Sequence, residues 1–124
     1  MRYLYIGIGA AVQLRDAPAL RLDQLQDLVG GYIEHIWSAE QRAGEPRLVV
    51  IGNEEGLLLN LPPTVRFPQV YSVGGVLRGA VVIMAIDAHG DQTDLTDQQL
   101  GSVTVRSLAG DSFPTLHIEE RATT

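Results

Sequence analysis

The stretch from Leu22 to Trp37 constrains this chain most, because it joins a helix to a strand through two glycines. Leu22, Leu25, Leu28 and Val29 recur at spacings of three and four, which predicts a short helix with one apolar face. Gly30 suits the left-handed residue that ends a helix, since it has no side chain to clash. Gly31 then lets the chain swing into an extended run, Tyr32-Ile33-Glu34-His35-Ile36-Trp37. Elements joined so closely share a core, so the strand begins a sheet for the helix to cover.

The rest of the chain supplies further strands. Residues 3–8 alternate, with Tyr3 and Tyr5 on one face and Leu4, Ile6 and Ile8 on the other. Gly7-Ile8-Gly9 reads as a turn rather than a dinucleotide loop, because a third glycine and an immediate helix are missing. Val12-Gln13-Leu14-Arg15 is the returning strand, and Asp16-Ala17-Pro18 a turn. Ser38 to Arg47 reads as a polar surface loop. Arg47 to Gly52 is rich in β-branched residues and predicts another strand.

Asn53-Glu54-Glu55-Gly56 has hairpin-turn chemistry, with Asn first and Gly fourth. Leu57-Leu58-Leu59 is then the expected return strand, ended by Pro62-Pro63. Thr64 to Gly75 reads as a long loop with one short strand at Val70 to Val73; such loops often bind something. Ala80 to Ile86 holds no polar residue, so burial of both faces is expected there. Asp87 to Asp91 is a turn. Thr96 and Gln99 form a reciprocal helix start with Leu95 and Leu100 at the staple positions. Val103 to Arg106 predicts a strand, and Leu116-His117-Ile118 an edge strand in the tail.

At 124 residues, one domain can bury about two thirds of its unfolded surface. A hydrophobic content of 45% excludes the disordered class. The absence of cysteine excludes disulfides and thiolate metal sites. A net charge of −6, with nine scattered arginines and no lysine, argues against direct nucleic-acid binding, which needs clustered cations. The N-terminus is too short and too aromatic for a secretory signal, and no apolar run reaches membrane-spanning length. A cytoplasmic protein without a membrane partner is expected.

Candidate chemistry is sparse. Glu54 and Glu55 are neighbours at a turn, whereas glycosidic catalysis needs carboxylates facing across a cleft. On the Tyr32–Trp37 strand, alternation puts Tyr32, Glu34 and Ile36 on one face and Ile33, His35 and Trp37 on the other. Each face then carries one titratable group that burial would tune for acid–base work. His35, His89 and His117 lie far apart in sequence, with no HExxH. Asp87, Asp91, Asp94 and Asp97 miss the calcium-loop pattern, since Gly90 comes too early and the terminal Glu is absent. Nucleophile-elbow and phosphate-loop motifs are missing too. No metal and no cofactor is therefore expected.

Three motifs carry a family resemblance. Leu25-Gln26-Asp27-Leu28-Val29-Gly30-Gly31-Tyr32-Ile33-Glu34 resembles the signature of the domain of unknown function 3846 family. Asn53-Glu54-Glu55-Gly56 followed by Leu61-Pro62-Pro63 resembles its second motif. Gly79 to Ile83, Gly90-Asp91 and Leu95-Thr96-Asp97 resemble its third. Members commonly carry Asn where this chain has Thr64, and the tail beyond Ser107 has no counterpart. The resemblance implies a small protein, intracellular in character, of a kind often found in phages, plasmids and related mobile elements. It implies no agreed activity, cofactor or catalytic set.

The expected fold is α+β: a mostly antiparallel sheet of about five or six strands with two short helices packed on it. Residues 1–107 form the domain, and 108–124 a C-terminal extension with the edge strand and a frayed tail. Two short helices leave the central strand short of cover, which makes a homo-oligomer attractive. The expected function is a small non-enzymatic binding or interaction module of the phage or mobile-element accessory type. It meets a protein or small molecule through Asn53, Glu54, Glu55 and Gly56, with Arg66, Phe67 and Tyr71 of the following loop, and with Glu34. One alternative is an enzyme or small-ligand binder using a pocket near Glu34 and His35. Another is an acidic decoy for a DNA-binding protein, which requires the acids to gather on one face.

Overall fold

The computed structural model describes residues 1–124 except 10, 41, 43, 57, 70–75, 108–112 and 120–124. In chain order the elements are β1 (Arg2–Ile6), β2 (Val12–Asp16), α1 (Leu22–Val29), β3 (Ile33–Ser38), β4 (Arg47–Asn53), β5 (Pro63–Arg66) and β6 (Val76–Arg78). There follow β7 (Val81–Ile86), β8 (Gln92–Thr93), α2 (Asp97–Ser102), β9 (Val103–Arg106) and β10 (Thr115–Ile118).

The polar-free run after Gly79 forms β7, and the larger sheet grows outward from it. Its order is β2-β1-β7-β4-β3, with β8 pairing the end of β7, and every pairing is antiparallel. The pleat divides β7 into Val82 and Met84 on one face and Val81, Ile83 and Ala85 on the other, all buried. This six-stranded sheet and two helices match the expected α+β class.

On the first face lies α1, packed across β7, β3 and β4. Leu25 and Val29 are buried there with Tyr3, Leu20, Val49 and Ile51. Leu22 points outward, and Leu20, just before the helix, fills the place expected of it. Gly30 ends the helix at φ 81°, and its N–H and that of Gly31 both donate to the Gln26 carbonyl at 2.8 and 2.9 Å. A residue with Cβ is strained at that φ, which is why glycine sits there.

The second face is covered by something the sequence did not suggest. A four-stranded sheet, β6-β5-β10-β9, lies against it. Val65, Phe67, Leu116 and Ile118 bury themselves against Leu4, Ile6, Leu48, Val50, Val81 and Ile83. The cover that a second copy of the chain was expected to provide is thus supplied from within.

Four other expectations need correction. Leu58 and Leu59 of the expected Leu57–Leu59 return strand do not form one: residues 54–56 and 58–60 run in turns, with Leu59 N–H donating to the Glu55 carbonyl at 2.8 Å, and Leu57 lies outside the described residues. Pro62-Pro63 does not end a strand but opens one, since a proline at the first position of β5 costs the ladder no donor. Of the two helices only α1 covers the larger sheet's first face. The other, α2, closes the end of the inter-sheet core through Leu95 and Leu100. Finally, β10 is an interior strand, antiparallel to β9 and parallel to β5, not an edge. The expected strand at Val70 to Val73 lies outside the described residues.

Two glutamines fasten segments that no ladder joins. Gln92 takes both backbone groups of Leu20, at 2.6 and 2.8 Å, and Gln69 does the same to Ile118 at 2.7 and 2.9 Å. A primary amide can mimic a strand neighbour because it carries a donor and an acceptor side by side.

Candidate functional site

The turn after β4 is built on Asn53. Its side chain is 8% exposed, and its Nδ2 donates to the Val29 carbonyl at 2.9 Å. Its Oδ1 accepts from the Glu55 N–H at 2.7 Å. One side chain therefore satisfies the last turn of α1 and fixes the start of the tip. Glu54 N–H donates to the Tyr32 carbonyl at 2.8 Å, which ties the tip to the first residue after the diglycine. Gly56 is buried against β6, where a methyl would land 2.8 Å from the Arg78 carbonyl. Arg78 in turn donates from Nη1 to the Leu61 carbonyl at 3.1 Å. Residues 53–56 and 58–61 are thus braced rather than loose.

What this brace presents is apolar and acidic. Leu58 is 85% exposed and Leu59 half exposed, and Tyr32, tied to the tip through Glu54, is 62% exposed. Tyr32, Glu55, Asp27, Gln26, Gly30 and Gly31 line an open hollow of about 480 Å³. Glu54 and Asp27 are exposed, and Glu55 is partly so. Sequence reasoning missed Tyr32, Leu58 and Leu59, because three leucines between a turn and a diproline look like a core strand.

The other predicted residues do not join this surface. Phe67 is fully buried, edge-on to Trp37 with ring centroids 5.9 Å apart, so it is core and not a contact for a partner. Arg66 lies with its guanidinium 5.6 Å from the Phe113 ring, and its N–H donates to the Pro114 carbonyl. Tyr71 lies outside the described residues. Glu34 and His35 are both exposed and line neither this hollow nor the cleft beside α2. A bulge at Ile36 also breaks the expected alternation, so Ile36 and Trp37 both pack against the inter-sheet core. The pocket expected beside Glu34 is therefore an open hollow without it.

A second concavity, of about 350 Å³, opens where α2 meets the β3–β4 connection and the end of β10. Gln99 holds its wall by donating from Nε2 to the Pro46 carbonyl at 3.0 Å. Arg47 lines it, with a buried Nε that has no hydrogen-bond partner. Glu40, Glu45 and Glu119 lie around the same space.

The remaining acids are largely matched. Asp97 pairs with Arg2 at 3.1 Å, Asp16 and Asp94 with the Met1 amino group, and Asp23 with Arg21. The Asp16 carboxylate holds the amino group's pKa above its ordinary value, and that amino group holds Asp16 below its own. The Arg21 guanidinium likewise holds Asp23 below the usual carboxylate range. No group of three His, Asp or Glu residues among those described is placed to hold a metal ion. No helix among them is long and apolar enough to cross a membrane.

The family described as Domain of unknown function (DUF3846) matches residues 1–107. The chain belongs to this family. No curated protein and no solved structure matches it. The DUF3846 match takes in the braced tip, α1, the whole larger sheet and β5, β6 and β9. It stops short of β10, the strand that joins β5 to β9.

Proposed function

We propose that this protein is a small non-enzymatic interaction module whose binding surface is the braced tip, residues 54–56 and 58–60, together with Tyr32 and the end of α1. One observation carries the reading: Leu58 and Leu59 stand in solvent on a turn held from beneath by Asn53, and exposed Tyr32 is tied to that turn by the Glu54 N–H. Exposed apolar groups rimmed by charge mark contact surfaces, and a rigid support lowers the ordering cost of contact. Glu54, Glu55 and Asp27 supply the rim, so the complementary partner is a protein surface with an apolar centre and cationic edges. The accessory role in phages or plasmids that the resemblance implies is part of the same proposal. The test is a triple change, Tyr32→Ser, Leu58→Ser and Leu59→Ser, in the full chain. The thermal midpoint stays within a few degrees, and any partner recovered with the native chain binds at least tenfold more weakly. Unchanged affinity for every such partner overturns the siting.

A second reading, a small-ligand binder, is favoured by Arg47. Its unsatisfied Nε in the cleft beside α2 suits one acceptor atom of a small polar ligand. Binding of any such ligand that survives Arg47→Met counts against it.

A further inference from the structure

The two edges of the larger sheet differ in kind. β3 is blunted: a bulge sits at Ile36, and exposed Glu34 and His35 flank it. Bulges and charges are how sheets discourage a further strand. β2 has no bulge, and its register with β1 is continuous from Arg2↔Asp16 to Ile6↔Val12. It is also the most exposed strand of the larger sheet.

The direction of its backbone groups follows from the pairing. Ala17 N–H donates to the Met1 carbonyl at 2.9 Å, and Gly7 N–H to the Ala11 carbonyl at 3.3 Å. In an antiparallel ladder, hydrogen-bonded pairs alternate with unbonded ones. The bonded pairs within the ladder are therefore Tyr3–Arg15 and Tyr5–Gln13. Val12, Leu14 and Asp16 then aim their N–H and C=O groups away from β1, where no described residue pairs with them. Their side chains share the face of Leu4 and Ile6, the inter-sheet face, yet Leu14 is 55% exposed and Val12 is exposed as well. The apolar stripe of that face thus runs past the cover given by the second sheet.

We propose that β2 pairs antiparallel with β2 of a second copy, on a two-fold axis through Leu14, joining two larger sheets into one. The strand is self-complementary in this arrangement. Leu14 faces Leu14 of the other copy as a bonded pair, and Val12 faces Asp16 as another. Gln13 faces Arg15, repeating across the axis the bond that Arg15 already gives Gln13 Oε1 within one chain, at 2.8 and 3.0 Å. The only charges on the strand are Arg15 and Asp16, so two copies meet there without net charge despite −6 on each chain. The same face rotation brings the two exposed Leu14 side chains together and shields both.

A five-residue edge is small beside the ~1,200 Å² or more of a stable complex, so association depends on concentration. Sedimentation equilibrium of the full chain from about 10 μM to about 1 mM tests it. The mass rises from 13.5 kDa toward twice that value. Leu14→Lys, which sets like charges opposite each other on an already exposed position, stays monomeric with an unchanged thermal midpoint. The chain has no cysteine, so a single Leu14→Cys reports the register. Opposed bonded residues lie about 5.5 Å apart between Cα atoms, within disulfide reach, so it oxidises to a covalent dimer. Val12→Cys, facing Asp16, does not. A native chain that remains monomeric throughout overturns the proposal. So does a Leu14→Lys chain that dimerises as well as the native one, or a Val12→Cys chain that crosslinks as readily as Leu14→Cys. Dimerisation abolished by Leu58→Lys but not by Leu14→Lys assigns the contact to the tip, and this inference then fails while the reading of the tip as a binding surface stands.

Discussion

The two faces of β7 are covered by different means. One carries α1, eight residues joined to β3 through the diglycine. The other carries four strands gathered from residues 63–66, 76–78, 103–106 and 115–118. The first cover is local in its making: its apolar spacing and its stop lie between Leu20 and Gly31, and the strand it leads into follows at once, although it docks on Val82 and Met84 of β7 as well. The second is assembled from two strand pairs, β5–β6 and β9–β10, that meet only where Thr115 pairs with Arg66, and they need the rest of the sheet in place before they gain anything from burial. Equal burial on the two faces therefore rests on very different chain-ordering costs.

The largest expected effect comes from removing β10, the strand that joins the two halves of the second cover. A chain stopped after Ser107 loses β10, and with it Leu116 and Ile118, both essentially buried. Two such side chains are worth about 3–6 kcal/mol by burial alone, a large part of the stability of a small domain. In urea the cooperative transition is lost or moves close to zero denaturant. A transition within about 1 kcal/mol of the native chain's breaks the comparison, because the second sheet would then be an accessory layer.

The next test sets the faces against each other. Phe67→Ala on the sheet-covered side costs about 3–5 kcal/mol and Leu25→Ala on the helix-covered side about 2–5 kcal/mol, read from denaturant midpoints. A Phe67→Ala cost below about 1 kcal/mol means that its pocket collapses without loss and that the helix alone holds the core.

This asymmetry also explains what was legible in the sequence. Gly30, the Leu25–Val29 spacing, the polar-free β7 and the Thr96–Gln99 cap are local patterns, and each appears where it was read. Two strands of the second sheet, at Val103–Arg106 and Leu116–Ile118, were read as strands, but β5, β6 and the pairing of all four were not legible, because strands of three or four residues are too short to show a period. Its one parallel contact, Thr115↔Arg66, joins residues that no turn connects. Leu58 and Leu59 misled for the opposite reason: they are strong strand formers that the Pro62-Pro63 exit leaves outside any ladder. Phe67 read as a loop contact because nothing nearby announces Trp37, whose turn toward it depends on the bulge at Ile36. The proposed binding surface was half visible, in Asn53 and the two glutamates. Tyr32 became part of it only through the Glu54–Tyr32 hydrogen bond, which is tertiary.

A smaller effect sharpens the local side of the comparison. Asn53→Ala removes the partner of the Val29 carbonyl and of the Glu55 N–H, costing about 1–3 kcal/mol. Amide exchange at Glu55 quickens in the variant while β7 stays protected. If stability is unchanged, water replaces both bonds and the tip is not braced from below.

The smallest effect is electrostatic. Asp23 is held below the usual carboxylate range by Arg21. Its contribution is present above the ordinary aspartate pKa and is lost as the pH falls through the lowered value. Both side chains are largely exposed, so the effect on stability is slight, but the carboxyl titration itself moves. Followed by carbon NMR, Arg21→Ala returns Asp23 toward the ordinary aspartate value and leaves the inter-sheet core unaffected.

The central claim is that one chain covers both faces of β7 in a single cooperative unit. Native-state hydrogen exchange measures this directly. The ladder amides of β5 and β10, at Val65 and Leu116, are predicted to exchange with the same opening free energy as those of β7, at Val82 and Ile83. Exchange from β5 and β10 orders of magnitude faster, with β7 still fully protected, would contradict it.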